Sequence, residues 1–174
     1  MREVDSFKQE LSATACYTYQ TIATPSICID PKKYDLVSSD GCSFDVQDLG
    51  SSQGGPIAVT SIEQKTTGDR VYLEIHFENK GSGISFSSSS LNNCYNSISI
   101  DDADTISSIK VYTPSTSFSC KPEGRVRMTN KKGYVICEAP ISGKTYFVTP
   151  LNVVLNYKYR ESISKTITVV NINP

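Results

Sequence analysis

The chain contains no tryptophan and one histidine, His76, in 174 residues. A single histidine excludes multi-histidine metal centres and leaves little imidazole for acid–base chemistry. Neither charge dominates: 17 basic residues face 18 acidic ones, a formal net charge of -1. Phosphate backbones are held by a clustered basic excess, so no nucleic acid is expected as a partner. No apolar run approaches the roughly 20 residues of a bilayer-spanning helix. The opening MREVDSFKQELSATA lacks the apolar stretch of a secretory leader. There is no Asn-x-Ser/Thr site for N-glycosylation. The nucleophile elbow Gly-x-Ser-x-Gly is absent, and His76 has no nucleophile at a recognisable spacing.

Cysteine is plentiful by contrast, and even in number: Cys16, Cys28, Cys42, Cys94, Cys120 and Cys137. No pair has the Cys-x-x-Cys spacing of zinc knuckles or thioredoxin-like sites. With one histidine, a zinc site would need four thiolates without the usual close pairs. Disulfides are the better reading, ahead of buried free thiols. They imply an oxidising compartment, so the chain is expected to be extracellular or at a cell surface. The missing leader then points to a mature or trimmed chain, or to an anchor upstream in a longer parent. Membrane contact is expected only through such an anchor, which this chain does not contain. Six cysteines allow many connectivities. Loop closure favours Cys28 with Cys42, around IDPKKYDLVSSDG, and Cys120 with Cys137, around KPEGRVRMTNKKGYVI. Cys16 is left with Cys94.

The dominant pattern has period two. In Val71 to Glu78, Val71, Leu73, Ile75 and Phe77 alternate with Tyr72, Glu74, His76 and Glu78, the signature of a half-buried strand. Further strands are expected at Leu11 to Ile29, Ile57 to Gln64, Ile106 to Tyr112, Gly124 to Met128, Tyr134 to Cys137 and Leu151 to Val170. The last is long enough for two strands or one bent strand. Turn clusters such as Gly54-Gly55-Pro56, Asn79-Lys80-Gly81 and Lys132-Gly133 separate them. Val4 to Leu11 is the one candidate helix. Strands at this spacing read as an all-β, immunoglobulin-like β-sandwich over residues 51–174, with an additional N-terminal β segment over 1–50. Ser and Thr make up about a quarter of the chain, and Ser85 to Ser90 is a Ser-rich stretch.

Two segments share a grammar at a constant offset of 140 residues, without a gap. Leu11, Tyr17, Tyr19, Ile27 and Ile29 align with Leu151, Tyr157, Tyr159, Ile167 and Val169. Each is an apolar strand, a Tyr-x-Tyr pair and a return strand. One reading makes residues 9–30 the closing strands of a preceding β-domain and 151–170 those of this one. The other is the ordinary composition of strands. Charge is also split. Residues 1–104 carry 15 acidic and 7 basic residues, and residues 105–174 carry 3 and 10. Attraction between strands of one sandwich is the favoured reading over head-to-tail association of copies.

Four patterns invite chemistry. Gly143-Lys144-Thr145 ends like a phosphate-binding loop, but Glu138 stands where its first glycine belongs and a strand follows. Glu74, His76 and Glu78 share an outward strand face, but they span about 13–14 Å, too far for all three to hold one ion, which leaves two of them as the alternative to a solvated strand face. Asp101, Asp102 and Asp104 cluster oxygen ligands that calcium accepts, without the spacing of an EF-hand. An Asx-stabilised turn explains them equally. Paired carboxylates for glycoside hydrolysis are open in principle. The Tyr-x-Tyr pairs are expected to pack on a sheet face.

Two stretches carry a resemblance. CYTYQTIATPSICIDP, residues 16–31, and SQGGPIAVTSIEQKTTGDRVYLEIHFENKGSG, residues 52–83, are echoed by TPLNVVLNYKYRESISKTITV near the end. Together they resemble a group of largely uncharacterised archaeal cell-envelope proteins. Longer members look membrane-anchored, with a transmembrane helix followed by β-domains with paired cysteines. Residues 57–83 are also similar to immunoglobulin-like repeats of the CARDB kind, in which a strand ending Asn-x-Gly follows an alternating run. The resemblance implies fold and compartment and carries no reaction. The expectation is therefore a non-enzymatic structural or adhesive module of an envelope or surface protein, working through a protein partner or self-association, with no cofactor. The alternative is a β-sandwich module that binds calcium or glycan; a carboxylate hydrolase is a third reading.

Overall fold

The computed structural model describes residues 6–31, 42, 46–50, 53–67, 69–87, 96–141 and 145–170. Over these residues the protein is all-β, with several antiparallel sheets and no helix. The first strand is β1 (Ser6–Ala23), and it runs through Ser6–Leu11, where a helix was expected. The cause is tertiary. Phe7 and Leu11 lie opposite Val169 and Lys165 in an unbroken antiparallel ladder with β13 (Asn152–Val170), and pairing overrides local propensity. The strand expected over Leu11 to Ile29 divides at Thr24-Pro25, because proline offers no N–H to a ladder. The chain resumes as β2 (Ser26–Ile29).

Two sheets enclose the core. The first is built around β13, which is a single strand of 19 residues. One side of β13 is paired along its length with β1. Its other side takes β8 (Ser108–Tyr112) and then β6 (Ile84–Phe86). The second sheet has the order β3 (Val46–Asp48), β4 (Ile57–Thr67), β5 (Arg70–Asn79), β11 (Lys132–Pro140) and β9 (Ser119–Lys121). Two small pairs complete the ends: β10 (Val126–Arg127) with β7 (Thr105–Ile106), and β12 (Phe147–Pro150) with β2. First and last strands thus pair antiparallel in one sheet. In an immunoglobulin sandwich of strands ABED and CFG they sit in different sheets.

The alternation written in the sequence builds the core. Val71, Leu73, Ile75 and Phe77 of β5 are buried, with Val135, Cys137 and Ala139 of β11 beside them. They pack on Val153, Leu155, Tyr157 and Tyr159 of β13 and Val111 of β8. In β4 a bulge between Val59 and Ser61 shifts the phase of burial. Ile57 and Val59 face inward before it, and Ile62, Gln64 and Thr66 after it. Ala23, Ile27 and Ile29 belong to the same core, and Tyr17 and Tyr19 pack against it.

Cys28–Cys42 and Cys120–Cys137 are disulfides. The second joins directly opposed residues of β9 and β11, with Cα atoms 3.9 Å apart. The first ties β2 to the segment at Cys42 across 14 residues. Gln64 Nε2 donates to the Cys28 carbonyl from inside the core. Cys16 is also disulfide-bonded, and its expected partner, Cys94, lies outside the described residues.

Candidate interaction surface

Four tyrosines form the junction between the sheets. The ladder places Tyr17 opposite Tyr159 and Tyr19 opposite Tyr157. The two Tyr-x-Tyr pairs that repeat at an offset of 140 residues therefore meet each other. Tyr19 stacks on Tyr157 with ring centroids 5.8 Å apart, and Tyr17 tilts against Tyr159 at 5.9 Å. Three of the four hydroxyls, those of Tyr19, Tyr157 and Tyr159, hold the turns that flank β4 and β5. Tyr159 Oη donates to Asn79 Oδ1 at 3.1 Å and accepts from the Gly83 N–H at 2.8 Å. Tyr157 Oη shares a 2.8 Å hydrogen bond with Thr21 Oγ1 and accepts from the Ile57 N–H. Tyr19 Oη donates to the Gly54 carbonyl at 2.9 Å. Close approach explains the glycines here. A Cβ at Gly83 would strike the Arg160 carbonyl and the Tyr159 ring. Burial pushes the Tyr157 and Tyr159 hydroxyls above their ordinary pKa.

Beyond this junction the same ladder leaves the body. From Ser6↔Val170 to Ala13↔Ile163 the two strands form a ribbon, the arm, with β1 exposed on both faces and β13 nearly so. Eight paired positions at about 3.4 Å each give a length of about 27 Å. Its two faces differ. Phe7, Leu11, Ala13, Ile163, Ile167 and Val169 continue the face that is core in the body, an apolar stripe interrupted by Gln9 and Lys165. Phe7 is 60% exposed, Leu11 54% and Ile163 70%. The opposite face carries Lys8, Glu10, Ser12, Ser164, Thr166 and Thr168, with Val170 at its outer end, and just inside it Thr14 and Ser162 hydrogen-bond across the ladder at 2.8 Å.

Other expected positions fall into place individually. Asp102 accepts from Ser87 Oγ at 2.9 Å and Arg125 Nη1 at 3.0 Å, and its N–H donates to the Ser99 carbonyl. Asp104 sits at φ 55°, its N–H bonded to the Ser85 carbonyl and its own carbonyl accepting from the Met128 N–H. Asp101 is exposed. These contacts tie a turn to β6 and to the residues on either side of β10. Among the described residues, no group of three or more His, Cys, Asp or Glu is placed to hold a metal ion. Gly143 and Lys144 lie outside the described residues, as do Ser88 to Ser90.

His76 has a neighbour that a one-strand view of the sequence misses. Its Nε2 is 3.1 Å from Glu74 Oε1, at ion-pair distance without hydrogen-bond geometry, and 3.9 Å from Glu63 Oε1 on β4. Glu78 is held instead by Lys80, which lowers its pKa through their hydrogen bond. The His76 ring packs on Tyr134 at 5.8 Å. The cross-strand register, Glu63 opposite Glu74, is the information that sequence spacing on β5 lacks. A shallow cavity of about 170 Å³ beside it is lined by Glu63, Lys65, Tyr72, Glu74 and Ile136. It is smaller than the roughly 300 Å³ at which drug-sized ligand pockets begin.

No protein-family profile matches this chain, and neither a curated protein nor a solved structure matches it.

Proposed function

We propose that this protein is a non-enzymatic structural or adhesive module of an extracellular envelope or surface protein, acting through protein–protein contacts. The observation that carries the reading is the arm. A two-stranded ribbon is marginal by itself in water, and this one keeps an apolar stripe from Phe7 to Ile163 in the open. Such a stripe is stabilised when another protein covers or extends it. The Cys28–Cys42 and Cys120–Cys137 disulfides support an oxidising compartment. The resemblance of residues 16–31 and 52–83 to archaeal envelope proteins with immunoglobulin-like repeats supports the same placement.

Sedimentation equilibrium at micromolar concentration tests the reading. Self-association is expected, and a strict monomer at high concentration counts against it. One observation favours a second reading, glycan binding. Tyr134 is exposed and packs on His76 beside Glu63 and Glu74, an aromatic surface with carboxylates at hand. Titration with oligosaccharides that gives heat with the native chain and none with Tyr134→Ala would establish it; no heat in either excludes it.

A further inference from the structure

The outer edge of β1 is open: among the described residues β1 pairs only with β13. An edge strand offers its outward N–H and C=O groups as a template for another strand. Around Gln9 this edge is self-complementary. Let the β1 of a second copy lie antiparallel to it, with a two-fold axis at Gln9. Phe7 then faces Leu11, Lys8 faces Glu10, and each pair occurs twice. Opposed residues in such a pair stand about 4.5–5.5 Å apart at Cβ, within reach of ion pairs and aromatic–aliphatic contact. Within the chain, Lys8 and Glu10 face only Thr168 and Thr166 across the ladder. The competing registers are worse. A slip of two residues brings Lys8 against Lys8 or Glu10 against Glu10. A slip of one places Lys8 opposite Gln9 or Leu11. Such a match to itself is what an isologous contact requires, and an unrelated strand has no reason to share it.

We infer that the partner of the arm is a second copy of this chain, joined edge to edge through β1 with its two-fold axis at Gln9, giving a continuous sheet β13–β1–β1–β13. The inference rests on the proposed function, since it names the surface through which that association runs. Sedimentation of charge variants tests it. Lys8→Glu or Glu10→Lys alone sets like charges opposite each other twice and is expected to raise the dissociation constant about tenfold. The double variant Lys8→Glu/Glu10→Lys restores the pairing and is expected to return within a few-fold of the native value. Gln9→Cys lies on the axis, where strand spacing of about 4.5–5.5 Å suits a disulfide. It is expected to give a covalent dimer by intact mass, while Ser12→Cys, which faces Ser6, gives none. A native dimer insensitive to both single variants, with no cross-link at position 9, overturns the β1 interface and leaves association by another surface standing. A strict monomer overturns both. Failure of the double variant to recover overturns the register.

Discussion

β1 and β13 form one ladder of eighteen positions, and its two halves live in different surroundings. Strand pairing, register and alternation are the same throughout. Inside the body the inward face carries Tyr17, Tyr19, Tyr157 and Tyr159 under the five-stranded sheet, and Tyr159 is 1% exposed. Along the arm the same face carries Phe7, Leu11, Ile163 and Val169, and nothing described covers it. Ladder hydrogen bonds therefore set the geometry of both halves. Apolar burial, which scales with area removed from water, stabilises only one of them. The difference separates what makes a ribbon from what makes it a core.

The largest effect expected lies at the junction. Tyr159→Ala removes a fully buried ring together with the hydroxyl that holds Asn79 and Gly83, and should cost about 3–5 kcal/mol in denaturant unfolding. Tyr159→Phe keeps the ring and leaves the Gly83 N–H without its acceptor, at about 1–3 kcal/mol. If both substitutions cost the same, the hydrogen bonds rather than the buried ring area hold the two sheets, and the contrast with the arm loses its basis. The next largest effect concerns a tie that the arm does not share. Replacing Cys120 and Cys137 together by Ala opens a loop of 17 residues. The expected loss is about 3 kcal/mol. Since this bond joins β9 to β11, amide exchange should rise there and remain unchanged between Ser6 and Ala13. Coincident change in the arm would mean that the two regions unfold as one unit.

The sheets were legible where one strand carries its own evidence. Val71 to Phe77 alternates cleanly because successive side chains point by turns to the core and to the half-exposed outer face, so period two survives in the sequence. The Tyr-x-Tyr repeat was legible as a repeat, and its partnership was not. An offset along the chain says nothing about which segments oppose each other, and the opposition of Tyr17 to Tyr159 exists only in the fold. The helix expected over Val4 to Leu11 fails for the same reason over its described residues, Ser6 to Leu11, Val4 and Asp5 lying outside them: the deciding contact is with Val169 and Lys165, more than 150 positions away. The return strand read around Ile167 in the later of the two repeat segments does not form: β13 runs unbroken to Val170, with Lys165 at the position that corresponds to Pro25. His76 shows the limit at the site. Its strand-mates were visible, while Glu63 arrives from β4 through a register that follows a bulge at Thr60. Across the charge split, among the described residues, Asp102 with Arg125 joins the acidic first half to the basic second half, and Arg70 with Glu138 joins them with the signs reversed.

Alkaline pH should separate the regions without mutation. Tyr157 and Tyr159 have folded-state pKa values raised by burial above the ordinary 10.0. The folded chain thus keeps protons that the unfolded chain releases. Their contribution is complete below about pH 10 and is lost as pH rises from there through the folded values. The thermal midpoint is expected to be flat with respect to these groups up to that point and to fall beyond it. In Tyr159→Phe the fall should be shallower. An unchanged slope would mean that the tyrosine hydroxyls do not report on the junction.

The smallest effect should be found on the arm itself. Ile163→Thr keeps a β-branched residue in the ladder and removes apolar surface from a position 70% exposed. At submicromolar concentration, where a chain is alone, the stability change is expected within about 0.5 kcal/mol, because surface already in water has no burial to lose. The same reasoning gives Leu11→Thr a change of the same size, and the pair should add, since neither shares a buried partner with the other. A loss of several kcal/mol at either position would show that the arm's apolar face is covered within a single chain. The two halves of the ladder would then be equivalent, and the open stripe would no longer call for a partner. If instead both variants leave the monomer unchanged and lower the temperature of unfolding only at high concentration, the missing burial is supplied by association. The contrast between body and arm would then be one of where the covering comes from.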